Sequence, residues 1–245
     1  MPTRNWFKKD ALPFKILTEP THKNVTKWFN NEIGGSDDEE LILILQSRGF
    51  SMMGTAFYVL WLVQLLIMTI IAIFSDKSNI DLDLLLYSSP LFIIGTALWI
   101  YNLITPTKKI VLKRYTGMMT YPSYGFYPHM TLTFTRATVY KSLISGPDAT
   151  IGGYKLAARN PYNTGVGKGN YDLAPADPEE WWSYFVWYMD QNRPLPPGKS
   201  FDPYRDKDFE RRKAAGFPKP LYKSNIPTPE ATKEQQAERE RIGGW

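Results

Sequence analysis

The chain has no cysteine and, in 245 residues, only two histidines, His22 and His129. Without thiols there is no disulfide, no thiolate nucleophile and no cysteine metal cluster, and two isolated imidazoles exclude a histidine-rich metal site. Charge is missing from two stretches. Met52 to Phe74 contains no Asp, Glu, Lys or Arg, and Gln64 is its one strongly polar side chain. Leu84 to Ile104 is uncharged as well, interrupted only by Ser88, Ser89, Pro90, Gly95, Thr96 and Asn102. Aliphatic residues in turn are scarce from Arg193 onward, where proline and mixed charge dominate, so that segment cannot bury enough apolar surface to fold alone.

The two uncharged runs set the organisation. A helix over Met52 to Phe74 rises about 1.5 Å per residue, roughly 34 Å, against a hydrocarbon core of about 30 Å. Leu84 to Ile104 has a comparable reach. Both are expected to be membrane spans, forming a hairpin over residues 52–104 whose connection, "FSDKSNIDLDLLLY", is too short to be a domain. Lys108, Lys109, Lys113 and Arg114 follow the second run and Arg48 precedes the first, whereas the connection offers Lys77 against Asp76, Asp81 and Asp83. The positive-inside rule then places both termini in the cytoplasm, with the four basic residues at the membrane surface. Tyr58, Trp61, Trp99 and Tyr101 gather toward the same interface, and Tyr87 toward the outer one. The first apolar run begins some fifty residues in, so no cleavable secretory signal is expected.

Ser88, Gly95 and Asn102 recur every seven residues and give the second helix a small and polar stripe. Such a stripe permits close helix approach, with Gln64 as its expected hydrogen-bonding partner, and it is a candidate for intramembrane recognition. Neither span holds an ionisable group, so packing is expected rather than transport. A homo-oligomer is compatible with the same pattern.

Outside the membrane the period shortens. "KKIVLKRYTGMMTYP" reads as strand, turn at Thr116-Gly117, strand; "HMTLTFTRATVYKSLI", "ATIGGYKLAARNPY" and the end of "NTGVGKGNYDLAP" add more strands. The expected fold is α+β: a small antiparallel sheet or barrel over residues 105–192, closed by a helix. That helix is announced by Asp177, Pro178 and Glu180, a capping-box arrangement. In "DPEEWWSYFVWYMDQN" the residues Trp182, Phe185, Val186 and Met189 form one apolar stripe. Trp181, Tyr184, Trp187 and Tyr188 lie beside it or opposite, and either pack against the N-terminal segment and the lipid interface or form a partner-docking surface. In the N-terminal 1–51 segment, Leu41 to Leu45 is expected as a strand of the same sheet, and "THKNVTKWFNNEIGG" as a short helix ending at Gly34-Gly35. Residues 193–245 are either an arm laid over the domain, anchored by Phe201, Tyr204, Phe209, Phe217 and Tyr222, or a partner-binding tail.

The sequence supplies no catalytic inventory. In "NTGVGKGN", Gly167-Lys168 is followed by Gly169 where a phosphate loop needs Ser or Thr, so a hairpin turn is expected. His129 has no nucleophile elbow near it, and Asp37-Asp38 and Glu39-Glu40 are consecutive and point apart. A non-enzymatic protein without cofactor or metal is expected. The net charge of +5 fits anionic lipid headgroups and does not call for nucleic acid.

The order of parts, an N-terminal strand ending in "RGF", a two-span hairpin, "KKIVLKRYTGMMTYP", a β meander and "PEEWWSYFVWYMDQNRPLPPG", resembles a group of bacterial inner-membrane proteins. Members of that group have a pleckstrin-homology-like cytoplasmic domain and are encountered beside type VI secretion effectors. The resemblance implies an immunity or accessory protein that binds a cognate secreted toxin, one acting on membranes by forming pores. The competing expectation is a membrane-tethered adaptor or lipid-sensing module that recruits a cytoplasmic protein.

Overall fold

A computed structural model describes residues 11–20, 33–44, 48–74, 82–104, 109–122, 129–143, 153–159, 170–174 and 177–245. The fold is α+β, and the chain divides into two compact units, one made of the two long helices and one containing all the strands.

The uncharged runs form α1 (Arg48–Phe74, 27 residues) and α2 (Leu82–Ile104, 23 residues). Both start slightly earlier than the apolar runs themselves. Among the described side chains neither helix buries its aliphatic residues in protein: Leu66 is 61 % exposed, Ile73 71 % and Leu103 62 %. Met53–Ile70 is long and apolar enough to cross a membrane and only 6 % of it is buried, which is the opposite of a soluble core helix. The apolar part of α2 among the described residues, Ser89–Tyr101, is shorter. The connection expected outside the membrane lies mostly outside the described residues.

In the second unit, β2 (Ile33–Ser36), β3 (Glu40–Ile44), β4 (Lys109–Lys113), β5 (Met118–Tyr121) and β6 (Met130–Thr133) form a five-stranded antiparallel meander in that order. Gly34 and Gly35 belong to β2, with a register irregularity between Ile33 and Gly35, and the short helix expected before them lies outside the described residues. β3 and β4 are neighbours although α1 and α2 separate them in sequence. Leu41 pairs with Leu112 and Leu43 with Ile110, all four buried, and the last pair is Ile44 with Lys109. The helical hairpin is thus inserted where a tight turn would otherwise join two strands. The turn between β4 and β5 uses Gly117 at φ 64°, a conformation that favours glycine.

A 3-10 turn at Phe134–Arg136 breaks the long β-branched run, and β7 (Thr138–Leu143), β8 (Tyr154–Arg159) and β9 (Asn170–Ala174) make a separate antiparallel sheet. β1 (Lys15–Ile16) pairs in parallel with β10 (Lys223–Ser224). Among the described residues these sheets do not close into a barrel.

Helix α3 (Pro178–Met189) lies at the centre of this unit, with Trp181 to Met189 buried without exception. A helix that is apolar on every face must be covered on every face. Its start departs from a capping box: Asp177 has left-handed backbone, φ 45° and ψ 58°, and its side chain makes no capping hydrogen bond. One cover is the N-terminal segment, whose Leu17 and Thr18 amides donate to the Ser183 hydroxyl at 3.0 and 3.2 Å. The Trp182 indole donates to the Pro13 carbonyl at 2.7 Å, and Phe14 packs edge-on against Trp182. The other cover is the C-terminal arm. It folds into α4 (Arg205–Ala214) and α5 (Lys233–Gly243), and it buries Phe201, Phe209 and Phe217. Residues 193–245 are therefore part of the core-bearing unit.

Candidate functional site

Three groups of residues were marked by the sequence, and the structure treats them differently. In the hairpin, Gly95 is buried against α1: a Cβ built there would stand 3.3 Å from the Phe57 Cβ and 3.5 Å from the Gly54 carbonyl. A Cβ on Gly54 would in turn lie 3.4 Å from the Gly95 carbonyl. The two glycines bring the backbones together, as small residues do between membrane helices. Beside them Thr96 donates to the Phe92 carbonyl at 2.8 Å and so accepts from the Tyr58 hydroxyl, also 2.8 Å away, tying α1 to α2. Phe92 packs against the Trp61 ring at 4.8 Å. Gly54 and Thr96 were not expected as contacts and Tyr58 was expected only at the interface, because neither glycine announces its partner until the helices pack. Ser88 and Asn102 lie on α2, and their side chains are outside the described residues. Gln64 is half-buried on α1, and its expected pairing with Ser88 and Asn102 lies outside the described side chains.

Of the basic residues, Lys108 is outside the described residues, Lys109 is exposed at the start of β4, and Lys113 makes a 2.8 Å ion pair with Glu40 across the β3–β4 ladder. Arg114 corrects the expectation of a membrane-surface cation, for it is completely buried. Its guanidinium donates to the Tyr188 carbonyl and, at 2.6 Å, to the Arg193 carbonyl, with Asp208 at 3.6 Å. Burial pushes its pKa below the ordinary arginine value, and the Asp208 charge pulls it back up. The reason is positional. At the end of β4 the side chain turns inward to carbonyls that the end of α3 and the following turn leave without amide partners.

For the aromatic group the structure corrects the partner-surface alternative and leaves the packing one. Trp181, Tyr184, Trp187 and Tyr188 are between 0 and 4 % exposed, so they are core and not a partner surface. Trp187 donates to the Pro194 carbonyl at 2.7 Å, Tyr188 donates to the Asp37 carbonyl at 3.0 Å, and Phe201 stacks on Tyr188 at 5.7 Å. The surface they could have offered is taken by the chain's own residues 193–201. His129 is exposed beside β6.

Sequence reasoning missed the cluster that fastens the arm. Arg212 of α4 donates to Asp208 at 2.8 Å and grips both oxygens of Glu230 at 2.7 Å. Arg239 of α5 donates to Glu230 at 3.1 Å and to the Thr228 carbonyl at 3.0 Å, with its guanidinium 4.3 Å from the Trp245 ring centre. Arg193 reaches Asp190, the Thr228 hydroxyl and the Tyr222 carbonyl. Asp190 also accepts the Leu221 and Tyr222 amides, both at 3.1 Å. For Arg212 burial works against the charge, but Glu230 and Asp208 outweigh it and hold its pKa above the ordinary value. For Arg239 burial prevails and the pKa is lowered. Asp208 and Glu230 are held by guanidinium donors and Asp190 by one guanidinium and backbone amides, and guanidinium does not release protons at ordinary pH. The cluster can clamp, but it has no group poised for acid–base work.

Among the described residues no three His, Asp or Glu side chains converge in a way that could hold a metal ion. Comparison of the chain with family models, with curated proteins and with solved structures finds no match in any of the three.

Proposed function

We propose that the protein is a non-enzymatic inner-membrane immunity or accessory protein. Its α1–α2 hairpin crosses the bilayer twice with both termini in the cytoplasm, and it protects the cell by directly binding a type VI secretion toxin that forms pores. The observation that carries the membrane part is the hairpin surface, whose aliphatic side chains are largely uncovered along α1 and along the described part of α2. Exposed apolar area on this scale is stable in hydrocarbon and a liability in water.

The glycine contact and the Tyr58–Thr96 bond support a hairpin that packs as a unit inside lipid. Exposed Lys109 supports contact with anionic headgroups. The strand-bearing unit, two antiparallel sheets with α3 buried among them, is the part we read as a pleckstrin-homology-like body in the cytoplasm. Its buried charges bond to one another and to main-chain carbonyls, which favours a binding role over a catalytic one.

The test is a competition between a toxin-delivering sibling and a strain deleted for this gene. The deletion strain is expected to lose, and the chain supplied on a plasmid is expected to rescue it. Unharmed survival of the deletion strain rejects the immunity reading. Capture of a housekeeping cytoplasmic protein by the reconstituted full chain, with no toxin bound, supports the adaptor reading instead.

A further inference from the structure

Two stretches far apart in sequence, residues 12–18 and 221–228, meet over α3 in a nest of four aromatic rings. Phe134 and Trp182 belong to the body of the unit and are sealed from water, whereas Phe14 and Tyr222 are half-buried and come one from each stretch. The Phe14 ring centre lies 5.4 Å from Phe134, 5.3 Å from Trp182 and 6.2 Å from Tyr222, and Tyr222 lies 6.0 Å from Phe134. Each stretch is fastened to the body by polar bonds of its own. The Leu12 amide reaches the Val139 carbonyl, the Trp182 indole reaches the Pro13 carbonyl, and the Leu17 and Thr18 amides reach Ser183. On the other side the Leu221 and Tyr222 amides reach Asp190, and Arg193 holds the Tyr222 carbonyl and the Thr228 hydroxyl. Between the stretches runs one short parallel contact, Lys15 with Lys223 and Ile16 with Ser224, extended by the Asn225 amide donating to the Ile16 carbonyl at 3.1 Å.

We propose that residues 12–18 and 221–228 are the two halves of one clasp, which opens and closes as a single cooperative unit apart from the rest of the fold and, when open, bares the ring faces of Phe134 and Trp182. Cooperativity follows from what each half covers. Lifting 221–228 takes the Tyr222 ring off Phe14 and Phe134 and strips β1 of its one strand partner among the described residues, leaving the fully buried Ile16 without that cover. Lifting 12–18 takes Phe14 off Tyr222 and leaves the Asn225 amide without its acceptor. A pairing of two residues does not stand alone, so neither half keeps its place once the other has left. Separateness follows from the topology, since the five-stranded and three-stranded sheets complete their ladders with no strand from either stretch. Segments held by so few contacts open locally at a lower free energy than the core, and the coupling between two such halves is reciprocal. The inference depends on neither the membrane nor the immunity reading.

Amide hydrogen exchange of the detergent-solubilised full-length protein, read by mass spectrometry of its peptides, tests this in both directions. Tyr222→Ala is expected to speed exchange at Leu17 and Thr18, in the half that it does not touch by sequence, by roughly 10-fold, the effect of losing aromatic pairs. Phe14→Ala is expected to do the same at Leu221 and Tyr222. In both variants the amides of Leu156 to Ala158 in β8 are expected to exchange as in the parent. Acceleration confined to the mutated half overturns the proposal, because the halves then open independently. Acceleration of β8 to the same degree overturns it as well, because the unit then opens only as a whole, and so does unchanged exchange in both halves. Tyr222→Leu, a smaller cut into the same contact, is read against the same outcomes where Tyr222→Ala does not fold.

Discussion

Arg212 and Glu230 face each other through two parallel hydrogen bonds of 2.7 Å, with both side chains almost sealed from water. The pair joins α4 to the segment that leads into α5, and Asp208 and Arg239 extend it on either side. Arg212 also bonds Asp208 and Glu230 also bonds Arg239, so the cluster balances two buried carboxylates against two buried guanidinium groups. Glu230→Gln is therefore expected to destabilise the folded chain by about 3–5 kcal/mol, because two guanidinium groups stay buried with less than their compensating charge. Replacing the pair with apolar residues, Arg212→Met with Glu230→Leu, is expected to cost less than the single change. Denaturant unfolding of the detergent-solubilised protein, followed by tryptophan fluorescence, measures both. A Glu230→Gln midpoint equal to the parent's would show that the clamp contributes nothing.

The insertion of the hairpin between paired strands leads to a second expectation. Ile44 and Lys109 are register partners, so residues 45–108 can be replaced by an Asn-Gly turn without moving either strand. The product is expected to be soluble, monomeric and as helical as α3, α4 and α5 require. A fragment that simply begins after the second apolar run lacks β1, β2 and β3 and is expected to aggregate. Size-exclusion chromatography without detergent and circular dichroism distinguish the two, and an aggregated turn variant counts against an independent strand-bearing unit.

Gly95→Leu places three further carbons where the Cβ alone already meets Phe57 at 3.3 Å. The helices are expected to move apart and to lose the Tyr58–Thr96 bond, worth about 0.6 kcal/mol on average between membrane helices and up to about 1.7. A pair of labels on α1 and α2 reports the separation. An unchanged distance in Gly95→Leu would mean that the seam lies elsewhere.

Asp38 ties the turn before β3 to α4. Burial raises its pKa, but hydrogen bonds from Lys207 at 2.9 Å and Tyr115 at 2.7 Å outweigh burial and hold it below the ordinary aspartate range. A depressed carboxylate contributes stability that is complete above the unfolded value, about pH 4, and is lost as the pH falls through the lower folded value. Asp38→Asn is accordingly expected to lower stability at pH 7 and to flatten the acid side of the stability profile. Parallel loss in parent and variant between about pH 4 and pH 2 would contradict this.

What the sequence disclosed and what it hid follow one physical division. The two long helices were legible because lipid-length apolar runs leave few alternatives. α3 was legible because Pro178 and the apolar spacing after it mark a helix start. Strand β3 was less legible, since a run from Leu41 to Leu45 suits helix or strand, and it is the pairing with β4 across the inserted hairpin that makes it a strand. Arg114 misled because a cation next to a span normally faces headgroups. Trp181, Tyr184, Trp187 and Tyr188 were legible only as either packed or partner-facing, because helical periodicity does not say how many faces are covered, and their burial decides for packing.

By itself the sequence determined the absence of cysteine chemistry, the position and length of the two apolar helices and the place of α3. Those properties depend on composition and on local periodicity. Only the tertiary structure decided that residues 193–245 belong to the core, that Arg114 points inward and that Gly54 lies against Gly95. Such outcomes depend on which carbonyls and carboxylates end up unpaired once the elements pack, and that information is distributed over residues far apart in the chain.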